Sequence, residues 1–69
     1  MAITLKAARV NAGLSQSEAA KRLKVSESTL SKWEIGKTFP NVRHILDIEK
    51  IYGMPFDEIV FLPNATVKP

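Results

Sequence analysis

Apolar side chains recur at intervals of three and four along most of the chain, the spacing that gathers them on one side of an α-helix. Leu5, Ala8 and Ala12 form the first such stripe, with Thr4 as a plausible cap. Gly13-Leu14 is a fitting stop, because helices often end on a residue of positive φ followed by an apolar one. Ser15-Gln16-Ser17-Glu18 has the form of a capping box, in which hydroxyl and carboxylate each satisfy the other residue's backbone amide. The helix it opens is predicted to run to about Leu23, with Ala19, Ala20 and Leu23 inward and Lys21 and Arg22 outside. Two small side chains on the inward face imply close approach of a neighbouring helix. Only Lys24-Val25-Ser26 then separates this helix from the next, which forces a sharp turn with Val25 as a buried plug and Ser26 as a cap.

The third helix, predicted over Glu27 to about Ile35 and ended by Gly36, has two unlike faces. At 100° per residue, Glu27, Ser28, Ser31, Lys32 and Ile35 share one arc, polar except for Ile35. Thr29, Leu30, Trp33 and Glu34 share the other, apolar in the main except for Glu34. After a loop through Lys37, Thr38, Phe39 and Pro40, Asn41 caps a fourth helix over Val42 to Tyr52, ended by Gly53. Val42, Ile45, Ile48 and Tyr52, with Leu46 alongside, form its apolar stripe. Pro55 suits the first turn of a short fifth helix with Phe56, Ile59 and Val60 toward the core, and residues 63–69 read as a frayed tail. No alternating strand pattern and no internal repeat is visible. The expectation is one all-α domain of five helices over residues 1–69, with its core in about 3–62.

Length and composition sharpen this picture. A chain of 69 residues supports one small domain with a thin core, and 45% apolar residues argue against disorder. With no cysteine, neither a disulfide nor a thiolate metal site can staple it. The longest purely apolar run, Ile59-Val60-Phe61-Leu62, falls far short of the ~20 residues of a membrane span, so a soluble cytoplasmic protein is expected. The net charge of +3 is unevenly placed: residues 1–43 hold eight Lys and Arg against three Glu, residues 44–69 two Lys against four acids. The basic excess lies with the two short helices around the tight turn, where a face for a polyanion would need it, although a lopsided solvated surface has the same count.

The ordered blocks Arg9-x-x-x-Gly13-Leu14-Ser15-Gln16-x-Glu18-x-Ala20, then Val25-Ser26-x-Ser28-Thr29-Leu30-Ser31-Lys32-Trp33-Glu34-x-Gly36-Lys37, then Pro40-Asn41-Val42 resemble the Cro/cI-type helix-turn-helix family over nearly the whole chain. The resemblance implies a compact five-helix, lambda-repressor-like domain that binds double-stranded DNA, usually as a homodimer in transcriptional control. Carried over residue by residue, it places base contacts at Glu27, Ser28, Ser31 and Lys32. It places backbone contacts at Gln16, Ser26, Lys37, Thr38 and Asn41, with Arg43 near, and an interior ion pair between Arg9 and Glu34. The residue chemistry agrees: Lys32 can donate to guanine, Glu27 can accept from cytosine, and helix N-termini favour phosphates. Three positions depart from the family pattern. Lys24 stands where glycine is common in the turn, Ala19 replaces a usual leucine, and Glu49 occupies a place usually small and apolar, where it either points outward or takes a partner.

Other roles weigh against these. Trp33, opposite the polar arc, favours packing over stacking on a base. His44 is the only histidine and is expected on a solvated face; with no second imidazole or thiol beside it, neither a metal nor any other cofactor is expected. Glu27 either reads a base or simply favours the helix N-terminus. Ile35 either touches a thymine methyl or covers the loop. Met54, Phe56, Phe61 and Leu62 offer surplus apolar surface for a dimer contact, unless the last two fold back on the core. The leading expectation is a sequence-specific, repressor-like DNA-binding regulator. The alternative is a protein-interaction module, such as an antitoxin or adaptor, using the same basic face. An enzyme is the weakest reading, for no nucleophile stands beside a base and there is no metal cluster or phosphate loop.

Overall fold

Each helix begins where a side chain can take over an orphan amide. In the computed structural model, which describes residues 2–61, α1 spans Leu5–Asn11, α2 Gln16–Leu23, α3 Glu27–Ile35 and α4 Val42–Tyr52. The Thr4 hydroxyl accepts from the Ala7 amide, the Ser26 hydroxyl from Thr29 and the Asn41 carbonyl from His44. At α2 the capping box is complete: the Ser15 hydroxyl accepts from Glu18 N–H at 3.0 Å, and the Ser15 N–H donates to the Glu18 carboxylate at 2.9 Å. Those two bonds hold the Glu18 carboxyl below its ordinary pKa, the backbone bond contributing most.

The helix ends are equally defined. Leu14 N–H donates to the Arg9 carbonyl and Gly13 N–H to Val10, the pair of bonds of a Schellman motif. The same pair recurs at α2 (Val25 to Ala20, Lys24 to Lys21) and at α3 (Lys37 to Lys32, Gly36 to Trp33), while α4 ends in the simpler bond from Gly53 to Glu49. Glycine supplies the left-handed residue in three of these four ends; at α2 it is Lys24, with φ 62° and ψ 41°.

The predicted fifth helix does not form. Phe56–Glu58 is a single 3-10 turn, closed by Glu58 N–H donating to the Pro55 carbonyl, and Ile59–Val60 is extended. This second strand, β2, pairs in parallel with β1, Ile3–Thr4, in the register Ile3 to Ile59 and Thr4 to Val60. Adjacent β-branched side chains favour that extended geometry. The fold is thus four α-helices, not five, with a two-stranded parallel sheet that joins the beginning of the described chain to its end. Leu62 and the tail predicted over 63–69 lie outside the described residues.

The core comprises Leu5, Ala8, Ala19, Ala20, Leu23, Leu30, Trp33, Ile48, Tyr52, Ile59 and Phe61, with Leu14 and Val25 packed against it from the turns. Several assignments along the apolar stripes change. Ala12 is exposed as the cap of α1 rather than part of its buried stripe. Val42 and Leu46 point to solvent, 73% and 57% exposed, because the face of α4 that packs is the one through Ile48 and Tyr52. Phe56, 40% exposed, lies at the rim, where its ring meets Phe61 at 5.3 Å; Phe61 in turn meets Phe39 at 5.1 Å. Glu49 takes a partner: its carboxylate accepts from the Phe56 amide at 2.6 Å and so ties the 3-10 turn to α4.

Since Lys24 carries a side chain in a backbone region where it costs about 1 kcal/mol, Lys24→Gly should stabilise the domain by roughly that amount, read as a higher urea midpoint with an unchanged slope. An unchanged or lowered midpoint would show that the Lys24 side chain contributes enough to offset the strain.

Candidate nucleic-acid interface

The turn between α2 and α3 sets the site. Its length leaves Val25 half-buried against the core and brings Ser26 to the start of α3. Leu30 and Trp33 then seat α3, at 0% and 5% exposure, and Trp33 packs its ring at 5.0 Å from His44 on α4. His44 is therefore half-buried against an aromatic, not on a solvated face as expected. On the opposite arc Glu27, Ser28, Lys32 and Ile35 are exposed and Ser31 is half-exposed. Among the described residues, none of the Glu27, Ser28, Ser31 and Lys32 side chains makes a hydrogen bond or ion pair, so their donors and acceptors are free.

Beneath this face lies a buried polar network. Arg9 on α1 donates from Nε to Glu34 Oε2 at 2.7 Å and from Nη2 to Oε1 at 3.4 Å, with both residues 8% exposed. Its Nη1 donates to the Leu14 carbonyl at 3.0 Å. Gln16, the first residue of α2, donates from Nε2 to Glu34 Oε1 at 3.1 Å. The Glu34 hydrogen bond raises the Arg9 pKa above its ordinary value against the opposing effect of burial. Nearby, burial first and the Glu34 charge second push the Tyr52 phenol up to about 12, and its buried hydroxyl has no hydrogen-bond partner among the described residues.

The residues assigned to backbone contacts are placed unequally. Lys37, Thr38, Asn41 and Arg43 are exposed around the α3–α4 connection, and the Asn41 cap uses its carbonyl, leaving its amide N–H groups available. The Ser26 hydroxyl is spent locally, accepting from the Thr29 amide and donating to the Thr29 hydroxyl, both at 3.0 Å. The Gln16 side chain is held by Glu34, while its backbone N–H stands at the α2 N-terminus. Sequence reasoning did not draw Arg22 and Lys50 into the site. Together with Lys24, Arg43, His44 and Asp47 they line a cleft between α2 and α4; the basic excess of the first 43 residues takes in Arg22, Lys24 and Arg43, but nothing in the sequence pattern brings Lys50 to them. Of the residues assigned to a dimer contact, Met54 is half-buried and Phe56 exposed, but Phe61 is 5% exposed and belongs to the core; its ring is not available at the surface.

The profile of the helix-turn-helix family matches residues 5–59. The chain belongs to the Cro/cI-type helix-turn-helix family. A curated relative, the HTH-type transcriptional activator BcrR of Enterococcus faecalis, is 36% identical over 52 residues, covering 75% of this chain and 26% of its own. The chain thus spans about a quarter of the length of that relative. No solved structure matches. No helix among the described residues is long and apolar enough to cross a membrane.

Removing one partner of the buried pair leaves the other charged and stranded. Glu34→Ala should therefore cost about 3–5 kcal/mol in chemical denaturation, whereas a paired apolar replacement of Arg9 and Glu34 should recover most of it. If Glu34→Ala lost under 1 kcal/mol, the pair would not be holding the helices. For Tyr52, the folded pKa lies above the ordinary value of 10, so the folded state keeps its proton where the unfolded state loses it. Its contribution to stability should be fully present below pH 10 and fall away between about 10 and 12, a decline that Tyr52→Phe abolishes in thermal melts followed against pH.

Proposed function

We propose that this domain reads double-stranded DNA sequence-specifically for a transcription regulator by laying α3 in the major groove. The observation that supports it best is the division of α3: an apolar arc seated in the core and a polar arc whose groups have no partner among the described residues. Glu27, Ser28, Ser31 and Lys32 meet base edges, Lys32 donating to guanine O6 and N7 and Glu27 accepting from the cytosine amino group. Lys37, Thr38, Asn41 and Arg43 hold the phosphates on the α4 side, and the Gln16 and Ser26 backbone positions offer amides to phosphates at the starts of α2 and α3. The resemblance is to repressor-like proteins and the relative is named an activator; the reading proposed for α3 serves either outcome.

A homodimer completes the proposal. Phe56 remains its exposed member of the predicted set, and Val42 and Leu46, one turn apart on the outer side of α4, add apolar surface that a single helix domain would otherwise leave in water. Two copies would then address half-sites about one helical turn apart. A partner protein of acidic surface is the competing occupant of the basic face.

Selection of bound duplexes from random DNA, followed by titration at several salt concentrations, tests this reading. A selected site with two related halves and an affinity falling steeply with salt is expected; flat salt dependence would sink the DNA reading, and a single unrepeated half-site the dimer. Lys32→Ala should lose about 1–3 kcal/mol and relax one base position, while Lys37→Ala should weaken all sequences alike and reduce the salt slope by about one.

A further inference from the structure

Beside the polar arc, α1, α2 and α3 enclose a cleft lined by Lys6, Arg9, Gln16, Ser31, Glu34 and Ile35. Its floor is the buried Arg9–Glu34 pair, and its rim carries one large apolar side chain, Ile35, 61% exposed. The hydrogen bond from Gln16 Nε2 to Glu34 Oε1 fixes more than a position. A primary amide has one N–H on the same side as its oxygen and one on the far side. A carboxylate attracts the N–H groups and repels the amide oxygen, so Glu34 draws the far N–H and turns Oε1 away from itself. What remains on the outward edge of Gln16 is an acceptor and a donor side by side. That is the complement of adenine, which presents the N6 amino donor and the N7 acceptor in the major groove. Guanine presents two acceptors there and would set its O6 against Oε1.

We propose that this cleft is a base-reading subsite for A·T pairs, in which Gln16 takes the adenine edge and Ile35 packs on a thymine methyl. It rests on the DNA-binding reading above and adds two residues to the specificity set. Glu34 is a positioning residue: it orients the amide without touching DNA, and the two bonds from Arg9 hold it in place. The backbone N–H of Gln16 stays free for a phosphate, so one residue serves the backbone with its main chain and a base with its side chain. Ser31, on the same cleft, joins this subsite to the rest of the α3 face.

The test uses the intact protein and its selected duplex, with single bases exchanged for analogues. Replacing adenine by 7-deazaadenine removes only the N7 acceptor, and replacing thymine by deoxyuridine removes only the methyl. At one adenine per half-site the first exchange should weaken wild-type binding about 5–100-fold, while Gln16→Ala, checked for folding by circular dichroism, should bind both duplexes alike. At one thymine the second exchange should weaken wild type several-fold and leave Ile35→Ala indifferent. An adenine penalty equal in wild type and Gln16→Ala, or no penalty at any adenine, would overturn the subsite while leaving α3 recognition standing. Failure to select any duplex would instead overturn the DNA-binding reading, and the subsite with it.

Discussion

The arrangement of the first three helices depends on one buried carboxylate. Glu34 receives the Arg9 guanidinium from α1 and the Gln16 amide from α2 while itself belonging to α3. Hydrophobic contact tolerates sliding, because it is non-directional. A planar guanidinium on a carboxylate does not, and a third bond from Arg9 to the Leu14 carbonyl locks the connection between α1 and α2 as well. Such a pair adds little net stability relative to well-packed apolar side chains, given the cost of desolvating both charges. Its effect is geometric: it specifies how three short helices meet in a domain whose apolar core is thin.

That thin core explains the density of local bonds elsewhere. Every helix has a side-chain cap at its start, and every helix ends in a left-handed residue with the matching backbone bonds. Helices of seven to eleven residues are marginal on their own, so caps and tertiary packing must together supply what length does not. The Glu49 carboxylate extends the same practice beyond the helices by capping the turn at Phe56.

Where the fold was legible in the residues, it was legible through these local signals. The bounds of α3 and α4 follow from Ser26, Gly36, Asn41 and Gly53, and the division of α3 from its period. The end of the described chain was not legible in the same way. Pro55 opens a 3-10 turn as readily as an α-helix, and the partner that makes Ile59–Val60 a strand is Ile3–Thr4, at the other end of the chain. No local period can report a parallel pairing between distant segments. Burial along α4 departs from its apolar stripe for a related reason: Val42, Ile45, Leu46, Ile48 and Tyr52 cover more of the helix surface than one core can cover, and tertiary packing chooses among them. For the site, the basic residues and the polar arc could be read from the sequence. The tethering of Gln16 and the packing of His44 on Trp33 could not, since both depend on contacts between separate helices.

The left-handed helix ends have a consequence for rotational phase. Each terminates its helix at a set residue and turns the chain sharply, so the three residues between α2 and α3 contain no slack to absorb a change in length. An inserted residue within α3 would advance everything after it by about 100° around the helix axis. Glu34 would swing out to the exposed angle that Ile35 now holds, and Lys32 would swing into the interior at the angle of Trp33. The outward face of α3 is therefore indexed to the core by counting residues, in the way a gear is indexed by its teeth. Substitutions on the polar arc can alter which base is read without altering that count, and this separates freedom in specificity from rigidity in presentation.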